Sequence, residues 1–168
     1  MINHLKGDLI QSGAGIIAHQ VNCKGKMGSG VALAIRKAFP NVYQRYISCC
    51  EDYKRVYGRN YAKELLGKSQ PVSARRFGKD VVVVNMFAQD NFGYNGAQYT
   101  DYESLRKCLF SLRRLAIIKN CEKVALPYKI GCARGGGDWD NVVYPMIEEV
   151  FADSGIDIDL YEWRDEAK

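Results

Sequence analysis

The sequence predicts a single α/β domain over residues 1–168, with a central, largely parallel sheet that is covered on both faces. Apolar strand patterns alternate with helical patterns of about ten or more residues, as in parallel strands joined by crossover helices. The run Val81-Val82-Val83-Val84 is apolar throughout, which is typical of a strand buried on both sides. A chain of 168 residues with 47% hydrophobic and 26% charged residues has the composition of an ordinary globular domain.

Periodicity and turn residues place the individual elements. Strands are expected at residues 2–6, 15–21, 79–87, 124–127 and 156–163, with a further short strand within 67–73. Helices are expected at residues 31–39, 41–53, 101–119 and 139–153. Pro40 ends the first helix, Asn41 caps the second, and Thr100 or Asp101 caps the third.

Two glycine-rich loops each follow a strand and precede a helix. The first loop contains Gly25, Gly28 and Gly30, and the second spans residues 130–137. Ligands of parallel sheets bind beyond the carboxyl ends of the strands, where helix N-termini offer unpaired N–H groups to anions. Glycines let the backbone come close to such an anion. The two loops therefore predict two anionic groups, or one pyrophosphate gripped from both sides.

The composition argues against several kinds of site and partner. The six cysteines form no C-x-x-C pair and there are only two histidines, so we expect no zinc site, no disulfide framework and no cofactor. No apolar run reaches the ~18–20 residues of a membrane span and no signal-peptide pattern is visible, so a cytoplasmic location is expected. The net charge of +5 suits a small phosphate-bearing ligand, and we expect a monomer without a nucleic acid partner.

Four segments, in this order along the chain, resemble the macro domain family. They are Lys6-Gly7-Asp8-Leu9-Ile10, Gln20-Val21-Asn22, Met27-Gly28-Ser29-Gly30 and the second loop from Ile130 to Gly137. Each segment is weak evidence alone, but all four in the right strand and helix context are fairly specific. The resemblance covers nearly the whole chain. It implies a three-layer α/β/α fold with a mixed six-stranded sheet and a cleft for ADP-ribose.

The resemblance also implies roles for individual residues. Asp8 would accept a hydrogen bond from the adenine amino group, the Leu9 backbone would support the ring, and Asn22 would contact the distal ribose. Tyr161 or Trp163 would cover the adenine face. The two phosphates would lie against the two loops, at Met27, Gly28, Ser29, Gly30 and Val31 and at Gly131, Cys132, Ala133, Arg134, Gly135 and Gly136. These residue types suit the roles, since a carboxylate accepts from an amine and backbone N–H groups bind phosphate.

Details within the motifs favour one branch of the family. The chain lacks the Asn-Ala-Ala-Asn motif of the commonest hydrolase branch. The segments His19-Gln20-Val21-Asn22-Cys23 and Leu65-Leu66-Gly67-Lys68 resemble the branch of the ADP-ribose 1″-phosphate phosphatases and terminal ADP-ribose glutamate hydrolases. The catalytic lysine of the glutamate hydrolases is absent from Met86-Phe87-Ala88-Gln89, and Gly135 stands in place of their aspartate. A covalent lysine mechanism is therefore not expected.

Three residues are candidates to activate or orient a water molecule: His19, Asn22 and Asp138. In the phosphatases a histidine at the place of His19 is implicated in catalysis, and an ordinary imidazole pKa near 6.5 suits acid–base chemistry at neutral pH. His19 could equally be a core histidine with both nitrogens paired. Asp138 could simply cap the helix that starts at Trp139. Asn22 could serve only the backbone of its loop.

We therefore expect a protein that binds ADP-ribose and hydrolyses a substituent of its distal ribose. That substituent would be a 1″-phosphate or an ester such as protein-linked mono-ADP-ribose. The alternative is a non-catalytic reader of ADP-ribose, and a weaker one is binding of RNA or poly(ADP-ribose) along the basic surface. Gln89, Asn91 and Tyr94 could form a lid over the distal ribose, or could be part of a plain connector. Arg134 could pair with a phosphate or point to solvent.

Overall fold

In the computed structural model, which describes residues 1–93 and 95–163, six strands form one mixed sheet. They are β1 (Ile2–Lys6), β2 (Ile16–Asn22), β3 (Ser69–Arg76), β4 (Lys79–Gln89), β5 (Lys123–Pro127) and β6 (Asp157–Glu162). Their order across the sheet is β1-β6-β5-β2-β4-β3. All neighbouring pairs are parallel except β3 and β4, which are antiparallel. The expected six-stranded, largely parallel sheet is confirmed.

Helices cover both faces of this sheet. They are α1 (Gly30–Ala38), α2 (Pro40–Tyr57), α3 (Tyr61–Leu65), α4 (Tyr102–Ile118) and α5 (Tyr144–Phe151). Along β2, Ile16 and Ala18 pack with the buried side chains of α4 and α5, whereas Ile17 packs with those of α1 and α2. Successive side chains of a strand point to opposite faces, so β2 supplies both cores. The result is the three-layer α/β/α arrangement that the family resemblance implies.

The boundary between α1 and α2 differs from the prediction. Pro40 begins α2 as well as following α1, because proline is well tolerated in the first turn of a helix, where its missing N–H has no partner to lose. Asn41 is not the cap of α2. Its side-chain nitrogen instead donates to the carbonyl of Ser73, 3.0 Å away, and so ties α2 to β3.

Four other elements differ from the predictions or make them more specific. The short strand expected within 67–73 is the eight-residue strand β3, and α3 was not predicted. Asp101 caps α4 by accepting from the Ser104 N–H, one of the two caps expected. The helix expected at 139–153 is divided into a π-helical turn, Trp139–Val143, followed by α5. Within the described part of the chain, no helix combines the length and apolar character that a membrane span requires.

Candidate functional site

A cleft of about 410 Å³ lies at the carboxyl end of the sheet, between the two glycine-rich loops. Its volume is in the range of small-ligand sites. The end of β2, from His19 to Asn22, lines it together with residues from both loops. The predicted site residues that line the cleft are His19, Asn22, Gly28, Ser29, Gly30, Val31, Gly131, Ala133, Arg134 and Gly135.

The other predicted residues do not line this cleft. Met27 is buried beneath the first loop, in a cluster with Tyr46 and Phe87. Cys132 and Gly136 belong to the second loop but are not among the residues that line the cleft. The remaining residues outside the lining are Asp8, Leu9, Asp138, Tyr161 and Trp163.

Asn22 organises the first glycine-rich loop from within. Its side-chain oxygen accepts from the N–H groups of Lys24 and Lys26, at 3.0 and 3.3 Å, and its side-chain nitrogen donates to the Lys26 carbonyl at 2.9 Å. The Tyr46 hydroxyl, from α2, lies 2.7 Å from the Asn22 carbonyl and 2.8 Å from its side-chain oxygen, and accepts from the Lys26 N–H at 3.1 Å. The side chain of Asn22 is thus already used by the loop, and a ligand contact would have to share its atoms.

Replacing Tyr46 by phenylalanine is expected to lower the free energy of unfolding by about 1–2 kcal/mol. Tyr46 is fully buried, so the substitution leaves the Lys26 N–H and the Asn22 oxygens without that partner. Urea denaturation followed by circular dichroism measures the change. Tyr53→Phe, on the same helix at a partly exposed position, is the control and should change stability by less than about 0.5 kcal/mol. Equal losses in both variants would contradict this account of the first loop.

The second glycine-rich loop packs directly on side chains from β2 and from the segment before α4. The Thr100 hydroxyl donates to the Gly131 carbonyl at 2.6 Å and accepts from the Gln20 side-chain nitrogen at 2.8 Å. A Cβ at Gly131 would lie 2.8 Å from the Gln20 side-chain oxygen, and one at Gly135 would lie 2.3 Å from the Thr100 hydroxyl. These glycines therefore let the loop sit closely on its support, which fixes the wall of the cleft.

His19 lies in the middle of β2 and is only 1% exposed. Its Nε2 is 2.6 Å from the side-chain oxygen of Asn85 on β4, and its Nδ1 is buried without a partner among the described residues. Burial lowers the pKa of His19 to about 4, although the hydrogen bond to Asn85 acts in the opposite direction. The imidazole is therefore neutral at pH 7. His19 is buried, as the alternative of a core histidine expects, and one of its two nitrogens is paired within the described part of the chain. The catalytic role of His19 stays a prediction.

Asp138 is the cap of the π-helical turn and does not line the cleft. Its carboxylate accepts from the Asn141 N–H at 3.1 Å and from the Asn141 side-chain nitrogen at 3.0 Å. These bonds lower the pKa of Asp138, the side-chain bond contributing most. The capping alternative is the one that these contacts support, because the carboxylate is engaged at the helix start. Trp139, the first residue of this turn, is buried in the core.

The residues predicted to hold adenine lie together at the ends of β1 and β6. Asp8 caps a 3-10 turn, Leu9–Gln11, by accepting from the Ile10 N–H at 2.9 Å. Leu9 is buried in the cluster against which the half-buried Tyr161 packs. A Cβ at Gly7 would lie 3.8 Å from the Tyr161 ring, so this ring is next to the turn that carries Asp8. Trp163 is 63% exposed.

Several residues of the site were not assigned a role from the sequence. Phe92 and Tyr128 line the cleft, while Gln20, Asn85 and Thr100 support its walls and floor. A polar residue inside an apolar strand, as Gln20 and Asn85 are, is the one signal that could have indicated them. Within the ranges 1–93 and 95–163, no cluster of side chains suits a metal ion.

The proposed lid is only partly described. Gln89 lines the cleft, and its side-chain nitrogen donates to the Asn91 carbonyl at 2.9 Å. Tyr94 lies outside the described residues. The lid therefore stays a prediction.

Comparison with known proteins gives concordant matches. A family model described as Macro domain matches residues 18–146. A DNA ADP-ribosyl glycohydrolase of Thermus aquaticus is 26% identical over 162 residues, which cover 96% of this chain and 41% of that protein. An ADP-ribose 1″-phosphate phosphatase of Meyerozyma guilliermondii is 34% identical over 97 residues, which cover 55% of each. The chain thus spans about half or less of the length of these curated relatives. A solved macrodomain protein from Streptomyces coelicolor has a TM-score of 0.75 and 27% identity, covering 96% of this chain and 99% of that one.

Proposed function

Because the chain belongs to the macro domain family, we propose that it binds ADP-ribose between its two glycine-rich loops and hydrolyses a substituent of the distal ribose. The observation that carries this proposal is the convergence of both loops on one cleft. Gly28 to Val31 form one wall, and Gly131 to Gly135 contribute to the other. Backbone N–H groups in such loops bind phosphate without a dedicated lysine. A pyrophosphate between the loops would place the distal ribose toward the end of β2.

The arrangement of the remaining residues supports an extended nucleotide. Asp8 follows β1 and Tyr161 lies near the carboxyl end of β6, at the same edge of the parallel sheet as the cleft, and there adenine would be held by its amino group and its face. His19 and Asn22 line the cleft itself, where the distal ribose would lie. The positive side chains of Lys26 and Arg134 also line the cleft and favour an anionic ligand. This order of sites, from adenine to distal ribose, suits ADP-ribose.

Three substituents of the distal ribose are candidate leaving groups. A 1″-phosphate and a protein-linked ester follow from the motifs, and the name of the Thermus aquaticus relative adds ADP-ribosylated DNA. In each hydrolysis a water oxygen forms a bond to phosphorus or carbon while the bond to the leaving group breaks. The water's proton passes to the leaving group or to solvent. His19, neutral at pH 7, would orient this water by accepting a hydrogen bond at Nδ1.

An activity assay distinguishes a hydrolase from a non-catalytic reader of ADP-ribose. Purified protein is incubated with ADP-ribose 1″-phosphate, mono-ADP-ribosylated protein and ADP-ribosylated DNA, and release of each substituent is followed. We expect turnover of at least one substrate, and a loss of about 100-fold in the His19→Ala variant. Tight binding without turnover of any of the three would favour the reader.

A cytoplasmic location and a monomeric state also remain part of this proposal.

Replacing Asp8 by asparagine is expected to weaken ADP-ribose binding about tenfold. Asparagine keeps an oxygen that can accept from the Ile10 N–H and so preserves the 3-10 turn. It replaces the other carboxylate oxygen with a donor, which would face the adenine amino group. Calorimetric titration measures the affinity, and an analogue with hypoxanthine in place of adenine is the matched ligand. The wild type should prefer adenine and Asp8→Asn should lose that preference. An unchanged preference would place adenine elsewhere.

A further inference from the structure

A chain of hydrogen bonds crosses three neighbouring strands beneath the cleft. His19 on β2 pairs with Asn85 on β4, which in turn pairs with Gln70 on β3 in the register of the sheet. His19 Nε2 lies 2.6 Å from the Asn85 side-chain oxygen. The Asn85 side-chain nitrogen donates to the Gln70 side-chain oxygen at 3.0 Å, and the Gln70 side-chain nitrogen donates to the Arg45 carbonyl in α2 at 2.9 Å.

The last member of this chain fixes the direction of every bond before it. The Arg45 carbonyl can only accept, so Gln70 must present its nitrogen to α2 and its oxygen to Asn85. Asn85 then gives its nitrogen to Gln70, and its oxygen faces the imidazole. That oxygen can only accept, so His19 carries its proton on Nε2. A neutral ring with a proton on Nε2 has a bare lone pair at Nδ1.

Nδ1 of His19 is buried and has no partner among the described residues, while His19 itself lines the cleft. A buried acceptor without a donor is costly in free energy, which a bound water or a ligand hydroxyl would relieve. We propose that Asn85 and Gln70 are positioning residues that hold His19 in the Nε2-protonated tautomer, so that Nδ1 accepts a hydrogen bond from a hydroxyl or water in the cleft. The identity of that ligand as ADP-ribose rests on the proposed function.

This assignment gives His19 a specific chemical task. A proton fixed on Nε2 prevents Nδ1 from acting as a donor, so the ring favours ligand groups that carry a hydrogen, such as ribose hydroxyls, at that point. The ring also cannot rotate without breaking its bond to Asn85. Neither Asn85 nor Gln70 is placed among the residues that line the cleft, so both act through His19.

The experiment is nitrogen-15 NMR of the histidine rings at pH 7. The chain has only two histidines, and His4→Gln assigns the signals. In the free wild-type protein we expect His19 with a protonated Nε2 and an unprotonated Nδ1. Asn85→Ala, and to a smaller extent Gln70→Ala, should populate the other tautomer. Asn41→Ala is the matched control, because Asn41 also joins α2 to β3 through its amide but has no link to His19. A protonated Nδ1 in the wild type would overturn the proposal.

Titration with a ligand tests the second part of the proposal, that Nδ1 of His19 accepts a hydrogen bond in the cleft. On titration with ADP-ribose the Nδ1 signal of wild-type His19 should shift as it accepts a hydrogen bond. Asn85→Ala should weaken binding by about threefold to tenfold, the effect of one hydrogen bond, and should have no further effect in a His19→Ala background. Binding without a shift at Nδ1, or an equal loss in both backgrounds, would overturn the acceptor role. Absence of any binding would overturn the proposed function and that role together, while the free-protein spectra would still decide the positioning role.

Discussion

Replacing Gly136 by alanine is expected to weaken ADP-ribose binding by about 100-fold or more. Gly136 has a φ of +70°, which side chains with a Cβ rarely adopt. A Cβ there would also lie 2.3 Å from the Ala97 carbonyl oxygen, which is backbone and cannot rotate away. The second loop would therefore have to move, and the cleft wall that Gly131 and Gly135 form would move with it. Calorimetric titration of ADP-ribose measures the loss.

The chain offers a close control for this substitution. Gly155, in the turn before β6, has a φ of +72° but no neighbour within 4 Å of an added Cβ. Gly155→Ala therefore carries the same backbone strain without the clash, costing roughly 1 kcal/mol of stability. Its ADP-ribose affinity should stay within about twofold of the wild type. Similar affinities in the two variants would mean that the second loop does not hold the ligand.

The free energy of unfolding is expected to fall by about 3 kcal/mol between pH 7 and pH 4 because of His19 alone. Its folded-state pKa is lowered to about 4 by burial, against an ordinary value of 6.5 in the unfolded chain. Between these values the unfolded chain binds a proton that the folded protein does not. The stabilising contribution of the neutral ring is therefore complete above pH 6.5 and is lost as the pH falls toward 4.

The measurement is urea denaturation of the wild type and His19→Gln across this pH range. Other groups titrate in acid as well, so the relevant quantity is the difference in the free energy of unfolding between the two proteins at each pH. Glutamine can still donate to the Asn85 side-chain oxygen but has no proton to gain. The stability of the wild type should therefore fall more steeply than that of the variant. Parallel curves would show that His19 is not held neutral by burial.

The fold was predictable because its signals are local and repeat along the chain. The apolar run at Val81–Val84 and the helices between strands indicate a parallel sheet, and the sheet has that form. Details that depend on tertiary contact were not predictable. Asn41 looks like a cap but is drawn to the Ser73 carbonyl, and the π-helical turn at Trp139–Val143 forms where Trp139 enters the core.

The candidate site was predictable where a motif specifies the backbone. The glycines of both loops were expected at the cleft, and Gly28, Gly30, Gly131 and Gly135 line it. The protonation state of His19 was not predictable, because it depends on burial and on Asn85, which is 66 residues away in the chain. A sequence motif identifies a histidine but does not say what pairs with its second nitrogen.

Calorimetric titration of ADP-ribose into the purified protein tests the central claim most directly. The account predicts saturable binding of one ADP-ribose per chain, with a dissociation constant on the order of micromolar or below. The same titration with ribose 5-phosphate, which lacks both adenine and the pyrophosphate, should give far weaker binding. Heat of dilution alone with ADP-ribose up to millimolar concentration would contradict the claim that the two glycine-rich loops form its binding cleft.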